Sequence, residues 1–319
     1  MRQTDVPLKS SQEERTGLFV CLTGQEGHNK LMSLSSFTTF SKSNRRMIRL
    51  LVASHLLWSC AIFGLWSFGS MLEASQPWWS VLFIVLQLYA AAQLLLPALL
   101  LHPEERTRGF YLFWGVILGL SLWLINQLNP HGLWLPLLTG IKSGLLLLTA
   151  TVTGAALAGY IHRLWEIIPV CIVMTLADFA SWLFGPTARF VQEIRQFQLD
   201  PTGPPPLIDM ILVKLALPGA AGLAPVFGIS DWVMVVFFAI VARRHRINDN
   251  LTGPSGETLA QQGKIGRYLP ISVAALMVAI VLAQLTGLFI PALPLIAVIM
   301  LGWYVTRRRL PGAAPEGGN

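Results

Sequence analysis

Two aspartates, Asp178 and Asp231, stand inside stretches that are otherwise apolar, Cys171–Phe184 and Phe227–Phe238. An ionised carboxylate in an apolar helix is expensive, so such residues face protein or water and tend to mark function. Glu166, the next acidic side chain in this region, falls at a helix start, where it reaches an interface. Two carboxyl groups sharing one site cannot both ionise cheaply, so one tends to hold a proton. The ionised member can take a proton from water; the protonated member can polarise a carbonyl and later protonate a leaving group. Such a pair titrates as a unit, and neither role is assigned to one residue. The residues alone leave three readings open: hydrolytic acid–base chemistry, proton relay or transport, and a structural polar contact.

The elements that carry them follow from composition. Of 319 residues, 54% are hydrophobic and 12% charged, about half the charge of a soluble domain, with a mean hydropathy of +0.58. Apolar runs long enough to cross a bilayer as helix give about eight candidates: 47–69, 78–101, 110–128, 142–160, 164–184, 222–242, 268–289 and 291–306. The chain is an integral, multi-pass membrane protein by this reading.

The net charge of +7 does not indicate nucleic-acid binding, because the basic residues sit in short linkers. Lys42, Arg45, Arg46 and Arg49 form one cluster, then Arg106 and Arg108, then His162 and Arg163. Arg243, Arg244, Arg246, Lys264 and Arg267 follow, and Arg307, Arg308 and Arg309 close the series. The alternate linkers hold Glu73, the neutral Asn129–Gly132 turn, the charge-balanced 185–221 loop and the turn near Gly287. An even number of spans places every basic cluster on one side, so both termini are expected in the cytoplasm.

Depth tests the pairing. Asp178 is about 7 residues from the outer end of its span and Asp231 about 9 from the outer start of the next, roughly 10–14 Å below the surface. On antiparallel helices, carboxylates at matching depth can face one another.

The 185–221 loop is the longest insert. Thr187–Gln198 reads as a short amphipathic helix, Thr202–Pro206 as a rigid break, and Met210–Leu217 as a β-prone run ended by Pro218–Gly219. Cys21, Cys60 and Cys171 offer neither a disulfide framework nor metal spacing. Lys142 is expected to snorkel to the outer interface, and His55 to contact a neighbouring helix. The tryptophans suit interfacial belts. No phosphate loop, HExxH or GxSxG motif is present, which argues against ATPase, zinc-protease and serine-protease chemistry.

Ile290–Pro–Ala–Leu–Pro294 lies at the outer start of the last span. Together with Asp178 and Gly228–Ile–Ser–Asp231, it resembles the GxGD intramembrane aspartyl proteases, the presenilin and signal peptide peptidase family. There, one Asp follows a Tyr, the second closes a Gly-x-Gly-Asp motif in the next helix, and Pro-Ala-Leu opens the final helix. Phe184–Glu193 looks like the segment after the first catalytic Asp, and Val213–Pro218 like the stretch ahead of the second. The resemblance covers about 165 to 306. Ala177 stands where the family has Tyr, and Ser230 where it has the second Gly.

The resemblance implies an all-α polytopic fold of eight to nine transmembrane helices, presenilin-like, with a short β-strand before the second catalytic helix. It implies catalytic Asp178 and Asp231, supported by Gly228, Ser230, Pro291, Ala292, Leu293 and Leu215. Residues 210–217 would be a strand edge for an extended substrate. No metal or cofactor is required. The expected partners are the lipid bilayer and substrate helices, either transmembrane segments or signal peptides. The expected organisation is a polar, disordered tail (1–45), N-terminal helices (46–163), catalytic helices (164–306) and a basic C-terminal tail (307–319). Competing readings are a prepilin-peptidase-like enzyme, a proton-coupled carrier, and an inactive relative that binds membrane helices. No internal repeat of the carrier kind is found.

Overall fold

The computed structural model describes residues 42–72, 77–101, 105–128, 132–183, 193, 207–288 and 290–309. All of them fall in one compact unit, Lys42–Asn319. The expected disordered tail, apart from residues 42–45, lies outside the described residues, as do almost all of the amphipathic helix over 187–198 and the break at 202–206.

Apolar runs become helices because a backbone denied water must bond to itself. In chain order the helices are α1 (Lys42–Gly69), α2 (Pro77–Ala92), α3 (Leu95–Leu99), α4 (Arg108–Gln127), α5 (Trp134–Ala158) and α6 (Ile167–Leu183). Strands β1 (Leu212–Leu215) and β2 (Ala224–Gly228) come next, then α7 (Ile229–Arg244), α8 (Gly256–Gln261), α9 (Ile271–Thr286) and α10 (Ala292–Arg309). Among the described residues, five segments are long and apolar enough to cross a membrane: Arg46–Gly69, Trp78–Leu99, Arg108–Gln127, Trp134–Ala158 and Leu164–Ser181. Two shorter apolar helices, Ile271–Thr286 and Ala292–Arg307, accompany them. The described residues are mostly helical, with one small two-stranded sheet.

Surface chemistry agrees with a membrane environment. On α4, Leu112, Val116 and Trp123 are 70%, 60% and 58% exposed, and Leu118 is the one buried residue of that helix. Water does not tolerate an apolar cylinder of this kind. α7 is the opposite case: Trp232 and Met234–Ala242 are all buried by protein, as expected of a helix apolar all round.

Helix α5 is the hub, packing on α1, α4, α7 and β1. Small residues allow the close approach that lipid-embedded helices rely on. A Cβ on Gly144 would stand 2.0 Å from Ser59 Oγ of α1, and one on Gly154 would stand 2.6 Å from the Val233 carbonyl of α7.

Several boundaries differ from the sequence reading. The expected 78–101 helix is divided at Gln93–Leu94, because Pro97 lacks an amide and its ring crowds the carbonyl four residues back. α5 starts at Trp134 rather than 142, since Pro136 falls within the first turn, where amides are unbonded anyway. α1 begins at Lys42, inside the expected tail. α7 starts at Ile229 rather than 222 because Ala224–Gly228 is a strand.

β1 and β2 pair antiparallel, with Leu212 opposite Gly228 and Leu215 opposite Ala224. The strand expected within 210–217 is therefore present, as half of a hairpin. At the far end of α7, Arg243 donates to the carbonyls of Leu99 and Leu101, and Arg244 to that of Gly159 at 3.1 Å. Two basic side chains thus satisfy the open carbonyl ends of α3 and α5. This gathers the basic linkers after α3, α5 and α7 at one end of the bundle.

Candidate active site

Asp231 is the third residue of α7, with Gly228 as N-cap, and its Oδ2 accepts the Gly228 amide at 2.9 Å. A carboxylate at this position reaches back to the N-cap amide, half of a capping box. The sequence-based depth argument is corrected here. Asp231 lies in the first turn of its helix, not nine residues into it, because β2 occupies the preceding residues.

Asp178 nonetheless lies within electrostatic reach of Asp231. It is half-buried, in the second half of α6, and bears on Asp231 across the gap between the two helices. α6 is held mainly by α10 and by the turn preceding it. The backbone amide of Leu293, in the first turn of α10, is directed at the Asp178 carboxyl. The other oxygen, Asp178 Oδ2, is buried without a hydrogen-bond partner. Each carboxyl group therefore meets a helix N-terminus, whose partial positive charge suits an anion.

The supporting residues divide. Gly228 supplies an amide to the site, and Leu293, flanked by Pro291 and Ala292 at the start of α10, supplies another. Ser230 is exposed in the first turn of α7. Leu215 is fully buried in the core, so it supports the hairpin rather than lining a groove.

The hairpin is fixed from behind. Gln87 of α2, itself fully buried, donates to the Ala216 carbonyl and accepts the Ala216 amide, both at 2.8 Å. Ser143 Oγ of α5 accepts the Lys214 amide at 3.1 Å. The Lys214 amide and both backbone groups of Ala216, just past β1, are taken by helix side chains rather than by β2. The expectation that 210–217 offers an open strand edge is thereby corrected. The two-stranded sheet leaves the outer edge of β2 without a strand neighbour among the described residues, and β2 runs directly into Asp231.

Other singled-out residues find local roles. His55 Nδ1 lies 2.8 Å from the Leu51 carbonyl and Nε2 3.5 Å from Thr151 Oγ1. Thr151 also accepts the indole N–H of Trp232 at 3.2 Å, pinning the residue next to Asp231. Lys142 Nζ reaches the Asp209 carbonyl at 3.4 Å, and Asp209 pairs with Lys214 at 2.6 Å. Among the described residues no three His, Cys, Asp or Glu side chains converge as a metal-holding group.

Sequence reasoning missed Gln87 and another carboxylate, Asp249, buried in the connector after α7. Asp249 is 4% exposed and accepts the Tyr268 hydroxyl at 2.7 Å. Burial pushes its carboxyl up to about 7, against the opposing Tyr268 hydrogen bond. Asn248–Asp249–Asn250 looks like an ordinary polar turn, and only the packing of Tyr268 over it reveals the burial.

Comparison of the chain with family models, curated proteins and solved structures finds no match.

Proposed function

We propose that this protein is an intramembrane aspartyl endopeptidase of presenilin-like architecture, using Asp178 and Asp231 as one acid–base pair. The observation that supports the reading is a chain of interactions from three separate segments: Asp178 bears electrostatically on Asp231, the Gly228 amide donates to Asp231, and the Leu293 amide at the start of α10 is directed at Asp178. A capping role accounts for the Asp231–Gly228 bond but leaves Asp178 unexplained. A structural side chain with a buried, unbonded oxygen would be a net loss of roughly 1–3 kcal/mol, whereas such orphans are tolerated where chemistry needs them.

In this reading the ionised carboxyl takes a proton from water as the hydroxyl adds to the scissile carbonyl carbon. The protonated carboxyl supports the developing oxyanion and then protonates the amide nitrogen. The C–N bond breaks to give a carboxyl and an amine terminus. The substrate chain must be extended where it is cut, and the outer edge of β2 offers main-chain pairing that leads toward Asp231.

The eight-span count with both termini cytoplasmic belongs to the same proposal. It puts the hairpin and the aspartates toward the outer leaflet, which favours substrates with a cytoplasmic N-terminus, such as signal-peptide remnants or type II anchors. Incubating the reconstituted protein with single-span helices of both orientations, with product masses as readout, tests it. Internal cleavage of the cytoplasmic-N-terminus helix is expected; intact substrates in both orientations would refute the proposal.

A further inference from the structure

A cleft of about 490 Å³ opens between the start of α4 and the end of α5, away from the aspartates. Arg106, Arg108, His162 and Arg244 line it with Tyr111 and Tyr160, and no acidic side chain is among the described residues that line it. Arg244 is held in place by the Gly159 carbonyl at 3.1 Å, and a guanidinium has five donors, so others remain. Arg108 is exposed and is the first residue of the 20-residue α4, whose N-cap Thr107 makes no side-chain cap. The open amides and the helix dipole add positive potential to the arginines. Glu166 is occupied by the backbone amides of His162 and Arg163, and the exposed Glu105, next to Arg106, is not among the residues that line the cleft.

The cleft has an apolar continuation. Arg106 and Tyr111 also border a narrow crevice between α1, α4 and α5, lined by Leu51, Trp114, Leu148 and Val152. Leu112, at the cleft itself, is 70% exposed. Positive charge at the interface joined to an apolar track suits a molecule that is anionic at one end and hydrocarbon at the other. Basic pockets between helices on the cytoplasmic side are where such headgroups dock.

We propose that this cleft binds the phosphate headgroup of an anionic phospholipid, with an acyl chain along the α4 face. The site is independent of the acid–base pair. The test uses the full chain, purified in mild detergent and exposed to phosphatidylglycerol or phosphatidylcholine of matched chains, with retained lipid counted by native mass spectrometry. Wild type should retain phosphatidylglycerol preferentially. Arg108→Gln should lower that retention roughly fivefold, the effect of one interfacial arginine, with the thermal midpoint unchanged. Lys264→Gln, in the exposed connector outside the cleft, should leave it intact, and excess inorganic phosphate should not displace the lipid. Equal retention of the two lipids, equal loss in both variants, or displacement by phosphate alone would each overturn the proposal.

Discussion

Gln87 bonds both backbone groups of Ala216 at 2.8 Å, so a side chain from α2 acts as the missing neighbour strand of β1. The bond ties the hairpin that carries Gly228 and Asp231 to the transmembrane bundle. Replacing Gln87 with Leu strands a buried N–H and a buried C=O, at about 1–3 kcal/mol each. Gln87→Leu should lower the thermal midpoint in detergent and weaken protection of the Val213–Ala216 amides in hydrogen exchange. A variant with wild-type exchange there would show the hairpin to be held by other contacts.

Gly154 is the point where α5 meets α7. A Cβ there would stand 2.6 Å from the Val233 carbonyl and 2.8 Å from Val236 Cβ. Overpacking of this kind costs about 1–3 kcal/mol. Gly154→Val should lower stability by that order, while Gly115→Val on lipid-facing α4, with nothing within 4 Å, should leave it unchanged within error.

Gly228 has φ −81°, open to any residue, so its use is space rather than conformation. A Cβ would lie 3.3 Å from Ser230 Oγ and 3.6 Å from Asp231 Oδ2, crowding the approach to the carboxyl. Gly228→Ala should therefore reduce substrate turnover severalfold with little change in melting. A large stability loss with turnover per folded molecule unchanged would show that Gly228 serves the fold alone.

Asp249 predicts a pH dependence. Its folded carboxyl titrates near 7, above the unfolded value of 3.8, so the folded state binds more protons between those limits. Stability is then highest at low pH within this window and falls as pH rises from about 4 to 7, by at most roughly 4 kcal/mol. Asp249→Asn keeps an acceptor for the Tyr268 hydroxyl and removes the titration. The variant should lose this part of the slope and gain most over wild type near pH 8. An identical slope in both proteins would contradict the assignment.

Much of this was legible from residue order. The apolar runs and the alternation of basic linkers were visible, and so were Asp178, Asp231 and Pro291–Leu293. Boundaries were lost where a local breaker competed with hydropathy, as at Pro97, or where a segment exchanged helix for strand, as before Ile229. The Gln87–Ala216 bond spans 129 positions, and the Tyr268–Asp249 contact depends on how two connectors fold together. No periodicity encodes either one. The edge expected over 210–217 was misjudged for the same reason: Lys214 and Ala216 are bonded by Ser143 and Gln87, side chains from helices distant in sequence.

The central claim is that Asp178 and Asp231 act as one acid–base pair. Its most direct test is cleavage of a single-span helix, with a cytoplasmic N-terminus, by wild type, Asp178→Asn and Asp231→Asn in matched liposomes. Asn keeps the shape and an acceptor oxygen, so the Gly228 cap at position 231 survives. The account predicts internal cleavage by wild type and none above background in either variant, with all three equally folded. Persistent cleavage in either variant would contradict it.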